Sequence, residues 1–289
     1  MKIESNEFCV REGAKVRLKK WPTKVKPFYK SKAHYQKLLE ARTKEMSGRQ
    51  GLFYAHDRYA LLLIFQAMDA AGKDGVIKHV MSGVNPQGCD VHSFKSPSAE
   101  DLDHDYLWRC MKVLPNRGHI GIFNRSYYEE TLVVRVHPEF LAKQKLPPEL
   151  VTKKIWPHRF EDIRNFEQYL SNNGVVVRKF FLHLSKKEQK RRFLERIENP
   201  DKNWKFSASD AAEREHWDEY MDAYEDMIRN TATKESPWYV VPADNKWFTR
   251  IIVSAAVIET LASLGLHYPA VGKEKLKELA AAKAALLKK

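Results

Sequence analysis

The stretch Leu61–Gly75, LLLIFQAMDAAGKDG, decides the fold. Its five apolar residues from Leu61 to Phe65 make a short run of the kind a buried strand needs. Small residues with Gly72 and Lys73 follow at once, and a helical pattern (Val76, Ile77, His79, Val80) then takes over. Strand, glycine-bearing loop and helix, in that order, are the setting of a phosphate-binding loop. The physical basis is a nest of backbone N–H groups at a helix N-terminus, with one lysine as counter-charge. The match to GxxxxGK[ST] is incomplete, because Ala67 holds the first glycine position and Asp74 replaces the usual hydroxyl residue. A glycine turn before an ordinary helix is the alternative. Asp69 and Asp74 set this loop apart, since a carboxylate repels phosphate unless it holds a metal, a proton or an oppositely charged partner. Such a loop suits transfer better than binding alone.

Working outward, Ser31 can cap a helix running to about Met46, with Tyr35, Leu38, Leu39 and Met46 near one face. Residues 1–30 lack periodicity and contain Pro22 and Pro27, which predicts an extended arm over the body or over a neighbouring subunit. Downstream, Cys89–Phe94 reads as a short strand. Ser98 with Asp101 resembles a capping box and opens a helix expected to reach Leu114. Gly118–Phe123 is the next strand, and it ends in the polar cluster Asn124-Arg125-Ser126-Tyr127-Tyr128-Glu129-Glu130. A hydrophobic strand ending in a polar group is where a second phosphate-site residue sits, at the carboxyl edge of a parallel sheet. A helix N-terminus capped by Asn124 or Ser126, with surface Arg and Glu beyond, is the alternative.

After the break at Leu146-Pro147-Pro148, a helix is expected from Trp156 or Pro157 to about Ser171 and a central strand over Val175–Leu184. Ser185 with Glu188 forms a capping box for a helix through Ile197 that carries Lys186, Lys187, Lys190, Arg191, Arg192 and Arg196. A polar loop, Asn199–Ser209, and a helix from Asp210 to Asn230 follow. Strand, basic helix, basic loop and helix give the layout of a lid closing over a phosphate donor. A solvated helix face explains Lys186 and Lys187 equally well. It explains the arginines less well, because guanidinium groups present forked donors to phosphate oxygens. Trp238–Ala243 is the last strand and Trp247–Leu264 an amphipathic helix. The expected architecture is one α/β domain over residues 31–268. It has about five parallel strands, helices on both faces and a lid near residues 185–215, with a basic helical tail over 269–289.

The chain has 289 residues and a formal net charge of +13, which predicts attraction to polyanions such as nucleic acid, anionic membrane or polyphosphate. Cys9, Cys89 and Cys110 stand at unrelated spacings and give neither a disulfide framework nor a zinc site. No run approaches a membrane span and Met1–Arg11 lacks a signal-peptide core, so the sequence predicts a cytoplasmic protein without a membrane partner.

QAMDAAGKDG at Gln66–Gly75, HVMSGVNPQGC at His79–Cys89, IFNRSYYEE at Ile122–Glu130 and SKKEQKRRFLERIENPDKNWKFS at Ser185–Ser207 together resemble the polyphosphate kinase 2 family. The similarity runs from about residue 25 to 265. Asn124, where much of the family has Asp, is similar to the subgroup that phosphorylates nucleoside monophosphates as well as diphosphates. The resemblance implies a P-loop kinase-like three-layer sandwich and Mg²⁺-dependent phosphoryl transfer, with Mn²⁺ as a substitute. The transfer would run between inorganic polyphosphate and adenine or guanine nucleotides, in a homo-oligomer, dimer or tetramer. It also implies roles. Lys73 and the loop Ala70, Ala71, Gly72, Asp74 and Gly75 would hold polyphosphate. Asp69 would position the acceptor directly or through the metal, Asn124 and Arg125 would complete the acceptor site, and Glu129 would tune acceptor choice. Arg191, Arg192 and Lys205 would reach the polymer from the lid. An ATP-dependent nucleotide kinase of the thymidylate-kinase type is the second reading. The missing first glycine and missing hydroxyl after Lys73 weigh against it. A basic nucleic-acid-binding protein with a degenerate phosphate loop is the third, but no helix-turn-helix, RNP or zinc module is visible, so nucleic acid is not the expected partner.

Overall fold

In a computed structural model, which describes residues 4–287, the strands β1 (Cys9–Val10), β2 (Ala60–Gln66), β3 (Cys89–Ser93), β4 (Ile120–Asn124), β5 (Val175–His183) and β6 (Trp238–Pro242) form one sheet. Their order is β1-β6-β5-β2-β4-β3. The five strands β2 to β6 are mutually parallel, as the sequence predicts. The sixth corrects the expectation: β1 pairs antiparallel with β6, Cys9 opposite Tyr239 and Val10 opposite Trp238. It lies inside the segment read as an extended arm, and a two-residue pairing is too short to leave a periodic signal.

Every residue of β2 is buried, the pattern of a central parallel strand covered on both faces. Its side chains alternate between two cores. Leu61, Leu63 and Phe65 pack with α1 (Lys32–His56), α2 (Lys73–Val80) and α11 (Lys246–Ser263). Leu62 and Ile64 pack with α7 (Ile155–Asn172) and α10 (Trp217–Thr231) on the other face.

Several boundaries move. Ser31 caps α1 as expected, accepting from the His34 N–H, but the helix continues past Met46 to His56. Gly48 and Gly51 lower its intrinsic propensity, and packing against α11 overrides them. The helix expected over Ser98–Leu114 is two short pieces, α3 (Ala99–Leu102) behind its Ser98–Asp101 capping box and α4 (Trp108–Met111). Asp105 divides them, because its carboxylate accepts from the Leu107 N–H at 2.9 Å, a local bond that competes with the helix. Two further short helices, α5 (Val133–Val136) and α6 (Pro138–Ala142), follow β4. The helix expected over Asp210–Asn230 is also divided, into α9 (Ala208–Ala212) and α10, while α8 (Lys186–Glu198) lies close to its expected span. The tail forms α12 (Lys273–Leu287), none of it buried. Among the described residues no helix is long and apolar enough to cross a membrane.

Candidate active site

The phosphate loop leaves β2 at Gln66 and enters α2 at Lys73, at the carboxyl edge where β2 meets β4 and β5. Gly72 caps α2 with φ at +98°, a conformation open to glycine and strained for other residues. Ala70 (φ 60°) and Arg125 (φ 63°) are left-handed as well, and both border the same cleft. Strain of roughly 1–3 kcal/mol at each such position persists only where surrounding contacts enforce it.

For Ala70 those contacts come from α8. Arg192 donates from Nη1 to the Ala70 and Ala71 carbonyls at 3.1 and 2.8 Å, and from Nη2 to the Ala243 carbonyl at 2.6 Å. Gln189 Nε2 donates to the Asp69 carbonyl at 3.0 Å and is itself held by Arg214, which donates to Gln189 Oε1 at 2.7 Å. Carbonyls of consecutive loop residues are thereby tied away from the cleft. The unpaired N–H groups at the start of α2 are left for a ligand anion. Lys73 Nζ donates to the Ala67 carbonyl at 2.9 Å. Burial lowers its pKa and Arg125 adds to the effect, against the opposing pull of Asp69 and Glu129.

Glu188 was expected to complete a capping box. It leaves that role to Ser185 alone, whose hydroxyl accepts from the Glu188 N–H at 3.1 Å. Its own carboxylate receives Arg191 and, at 2.8 Å, Arg192 Nε. The hydrogen bond from Arg191, aided by Arg192, lowers its pKa to about 2.

On the facing loop, Arg125 Nη2 donates to Asp69 Oδ1 at 3.1 Å, and the Arg125 backbone N–H donates to the Phe65 carbonyl at 3.0 Å. Glu129, and after it Asp69, raise the Arg125 pKa against the cost of its burial. Asn124 Nδ2 donates to Asp74 Oδ1 at 2.8 Å, where an Asp would set two carboxylates against each other. With its amide nitrogen facing Glu129, Gln66 donates to Glu129 Oε1 at 2.8 Å and accepts from Ser126. Beneath this turn, Glu167 accepts from the Tyr127 and Tyr128 hydroxyls at 2.8 and 2.7 Å and from buried Lys179 at 2.5 Å. That network fixes the backbone that presents Glu129.

Two spaces meet at Arg125. One is an open cleft of about 990 Å³ walled by Asp69–Gly75, Asn124 and Arg192, with Lys78, Lys95, Arg196, Lys202 and Lys246 around it. The other is a narrower pocket of about 280 Å³ lined by Phe94, Leu102, Tyr106, Arg109 and Glu129. Arg125 and Phe94–Ser96 belong to both.

The structure thus brings Asp69 through Gly75, Asn124, Arg125 and Glu129 together. It separates the residues expected in a lid. Arg192 borders the cleft, but its guanidinium is buried and bonded to loop carbonyls. Arg191 is exposed, pairs with Glu188 and Glu195, and lines a neighbouring groove rather than the cleft. The Lys205 side chain lies outside the described residues. Sequence reasoning passed over Lys78, Lys95 and Lys246 as site residues. For Lys95 a signal existed, since Phe94-Lys95-Ser96 directly follows β3 at the ligand-binding edge of the sheet.

Residues 29–264 match the family model described as Polyphosphate kinase 2. An ADP-polyphosphate phosphotransferase of Rhodopseudomonas palustris is 57% identical over 289 residues, covering 100% of both chains. An AMP/ADP-polyphosphate phosphotransferase of Meiothermus ruber is 40% identical over 264 residues, covering 91% of this chain and 95% of that one. The crystal structure of polyphosphate kinase 2 from Arthrobacter aurescens superposes with a TM-score of 0.89 at 34% identity, over 100% of this chain and 99% of that one. The chain belongs to the polyphosphate kinase 2 family.

Proposed function

We propose that this member of the polyphosphate kinase 2 family moves a phosphoryl group between inorganic polyphosphate and ADP, with AMP as a second acceptor. The observation that carries the reading is the junction of two unlike spaces at Arg125, which pairs with Asp69 of the open cleft. The open basic cleft suits a polymeric anion with no sequence to recognise, and the narrower pocket with aromatic walls suits a nucleotide. The relatives named for ADP and for AMP/ADP transfer support the same pair of acceptors. Lys73 and the loop amides would hold the phosphoryl chain, Asp69 and Arg125 would align the acceptor, and Asn124 would fix Asp74. Phosphoryl transfer asks the protein mainly for such alignment and charge neutralisation.

A divalent cation fits this arrangement. Among the described residues no three His, Cys, Asp or Glu side chains gather into a cage. Mg²⁺ needs none, being bound through one or two carboxylates plus substrate phosphates. Asp69 would hold it, with Mn²⁺ as a substitute, and the bound ion supplies neutralisation of the phosphate oxygens. Guanine nucleotides as further acceptors and a cytoplasmic dimer or tetramer rest on the family resemblance. Nucleotide competition and light scattering test them.

The deciding experiment mixes purified protein, Mg²⁺ and polyphosphate with ADP or AMP and no ATP. ATP from ADP is the expected product, and ADP from AMP, free of adenylate kinase, extends the acceptor range. Product only when ATP is the donor to a monophosphate would replace this reading with a nucleotide kinase.

A further inference from the structure

The N-terminal segment carries cations that the site described above does not use. Val16 and Leu18 are buried, whereas Lys15, Arg17, Lys19 and Lys20 are exposed. The backbone beneath them is pinned. The Leu18 N–H donates to Glu225 Oε2 at 2.7 Å, Arg229 Nη2 to the Val16 carbonyl at 3.0 Å, and the Asp244 N–H to the Thr23 carbonyl at 3.0 Å. These charges therefore stand on a fixed scaffold. Lys15, Arg17 and Lys20 surround a shallow depression floored by Trp21 and Pro22, with no carboxylate in its wall.

This depression joins the active-site cleft through shared residues. Trp21 and Pro22 also line the next groove, which Lys19 and Lys24 border. Lys24 continues into a third groove with Arg191 and Lys246, whose wall also holds Glu188, paired with Arg191 and Arg192, and Asp244. Arg192 and Lys246 then open onto the phosphate-loop cleft. Asp218, Asp222 and Glu225 belong to the α10 wall of the middle groove, so an anion's path follows the arm side. Burial lowers the Lys246 pKa, with Arg192 as the next cause.

We propose that this track holds the distal part of a long polyphosphate chain whose reacting end occupies the cleft. The proposal rests on the polyphosphate reading of that cleft. A uniform polyanion needs no fitted pocket, only spaced cations along its path. Each contact is weak alone, and tethering through the cleft makes them effective together.

The test compares the full chain with a Lys15→Ala, Arg17→Ala, Lys20→Ala triple variant, using ADP as acceptor. Long-chain polyphosphate and linear hexaphosphate are the alternative donors. The variant should raise KM for the long chain about five- to tenfold. KM for hexaphosphate, KM for ADP and kcat should hold steady. A control that removes Lys275, Lys277 and Lys283 from α12 should change none of these. An equal rise for both donors, the same rise in the control, or an unchanged long-chain KM would overturn the track. Loss of duplex DNA binding with long-chain KM intact would give the surface to nucleic acid and overturn it too. Should the triple variant fail to fold, the exposed single reversals Lys15→Glu and Lys20→Glu are read in the same way. A wild-type chain inactive with both donors removes the reading of the cleft itself, a result distinct from loss of the track alone.

Discussion

The phosphate loop and the segment from Asn199 to His216 border the same cleft and are held in opposite ways. Behind the loop, Gln189 and Arg192 bind the carbonyls of Asp69, Ala70 and Ala71, and Arg192 is buried. The later segment closes on itself only over its first turn, where the Asn203 N–H donates to the Asn199 carbonyl at 2.9 Å and Trp204 Nε1 to the Asp201 carbonyl at 3.1 Å, before Arg214 reaches back to Gln189. Its Trp204 is 74% exposed, and Arg196 reaches Asp210 across 3.5 Å at the surface. A fixed loop offers donors that need no rearrangement during reaction, while a segment with exposed contacts opens at low cost. On the proposed function, the first suits a preorganised phosphate cradle and the second the cover expected over it.

The largest effect should come from the cradle's own side chains. Lys73→Ala and Asp69→Asn should each lower kcat about a thousandfold in the polyphosphate assay, by removing groups aimed at developing charge. Melting temperature should stay within about 2 °C of wild type. Near-normal turnover in Asp69→Asn would show that its pairing with Arg125 is structural and that the acceptor is positioned elsewhere.

A smaller effect tests the backing. Arg192→Ala leaves the carbonyls of Ala70, Ala71 and Ala243 without their charged donor. It should destabilise the fold by about 3 kcal/mol in urea titration, and Arg192→Lys should restore only part of that, because ammonium lacks the fork. Arg196→Ala, which removes the surface pairing with Asp210, should cost under about 0.5 kcal/mol while raising KM for polyphosphate roughly threefold. Equal stability losses in the two variants would erase the contrast between the regions.

The same contrast explains what the sequence disclosed. DAAGKDG and FNRSYYEE carry their chemistry in local order, strand to loop to helix, so the cradle was legible from spacing. The five parallel strands were legible for the same reason, each being an apolar run bounded by turns. Arg192 was legible as a phosphate-type guanidinium but not in its direction. Whether that fork meets a polymer or the loop's carbonyls depends on how α8 crosses the loop, which is tertiary information. Lys78, Lys95 and Lys246 come from three separate elements and share no motif, so only the fold gathers them. No periodicity records the two-residue β1, which turns on a pairing with distant β6, or the division at Asp105, which turns on a single local bond.

The smallest expected effect is a pH dependence at Glu188, which orients Arg192 from one side while Arg191 grips it from the other. Its carboxyl is held at about 2, below the ordinary value of 4.5, first by the Arg191 hydrogen bond. Because the folded value is depressed, the contribution is complete above about pH 4.5 and disappears as pH falls through about 2. Arg191 is exposed and solvent screens the pair, so the contribution should be no more than about 1 kcal/mol. Urea titrations of wild type and Glu188→Gln should therefore differ by that increment at neutral pH and by about half of it at pH about 3, where the folded-state carboxyl is still largely ionised. Parallel losses in the two proteins would mean that Glu188 does not hold Arg192 in place. The rigidity of the loop would then rest on the carbonyl contacts alone, which is the part Arg192→Lys measures.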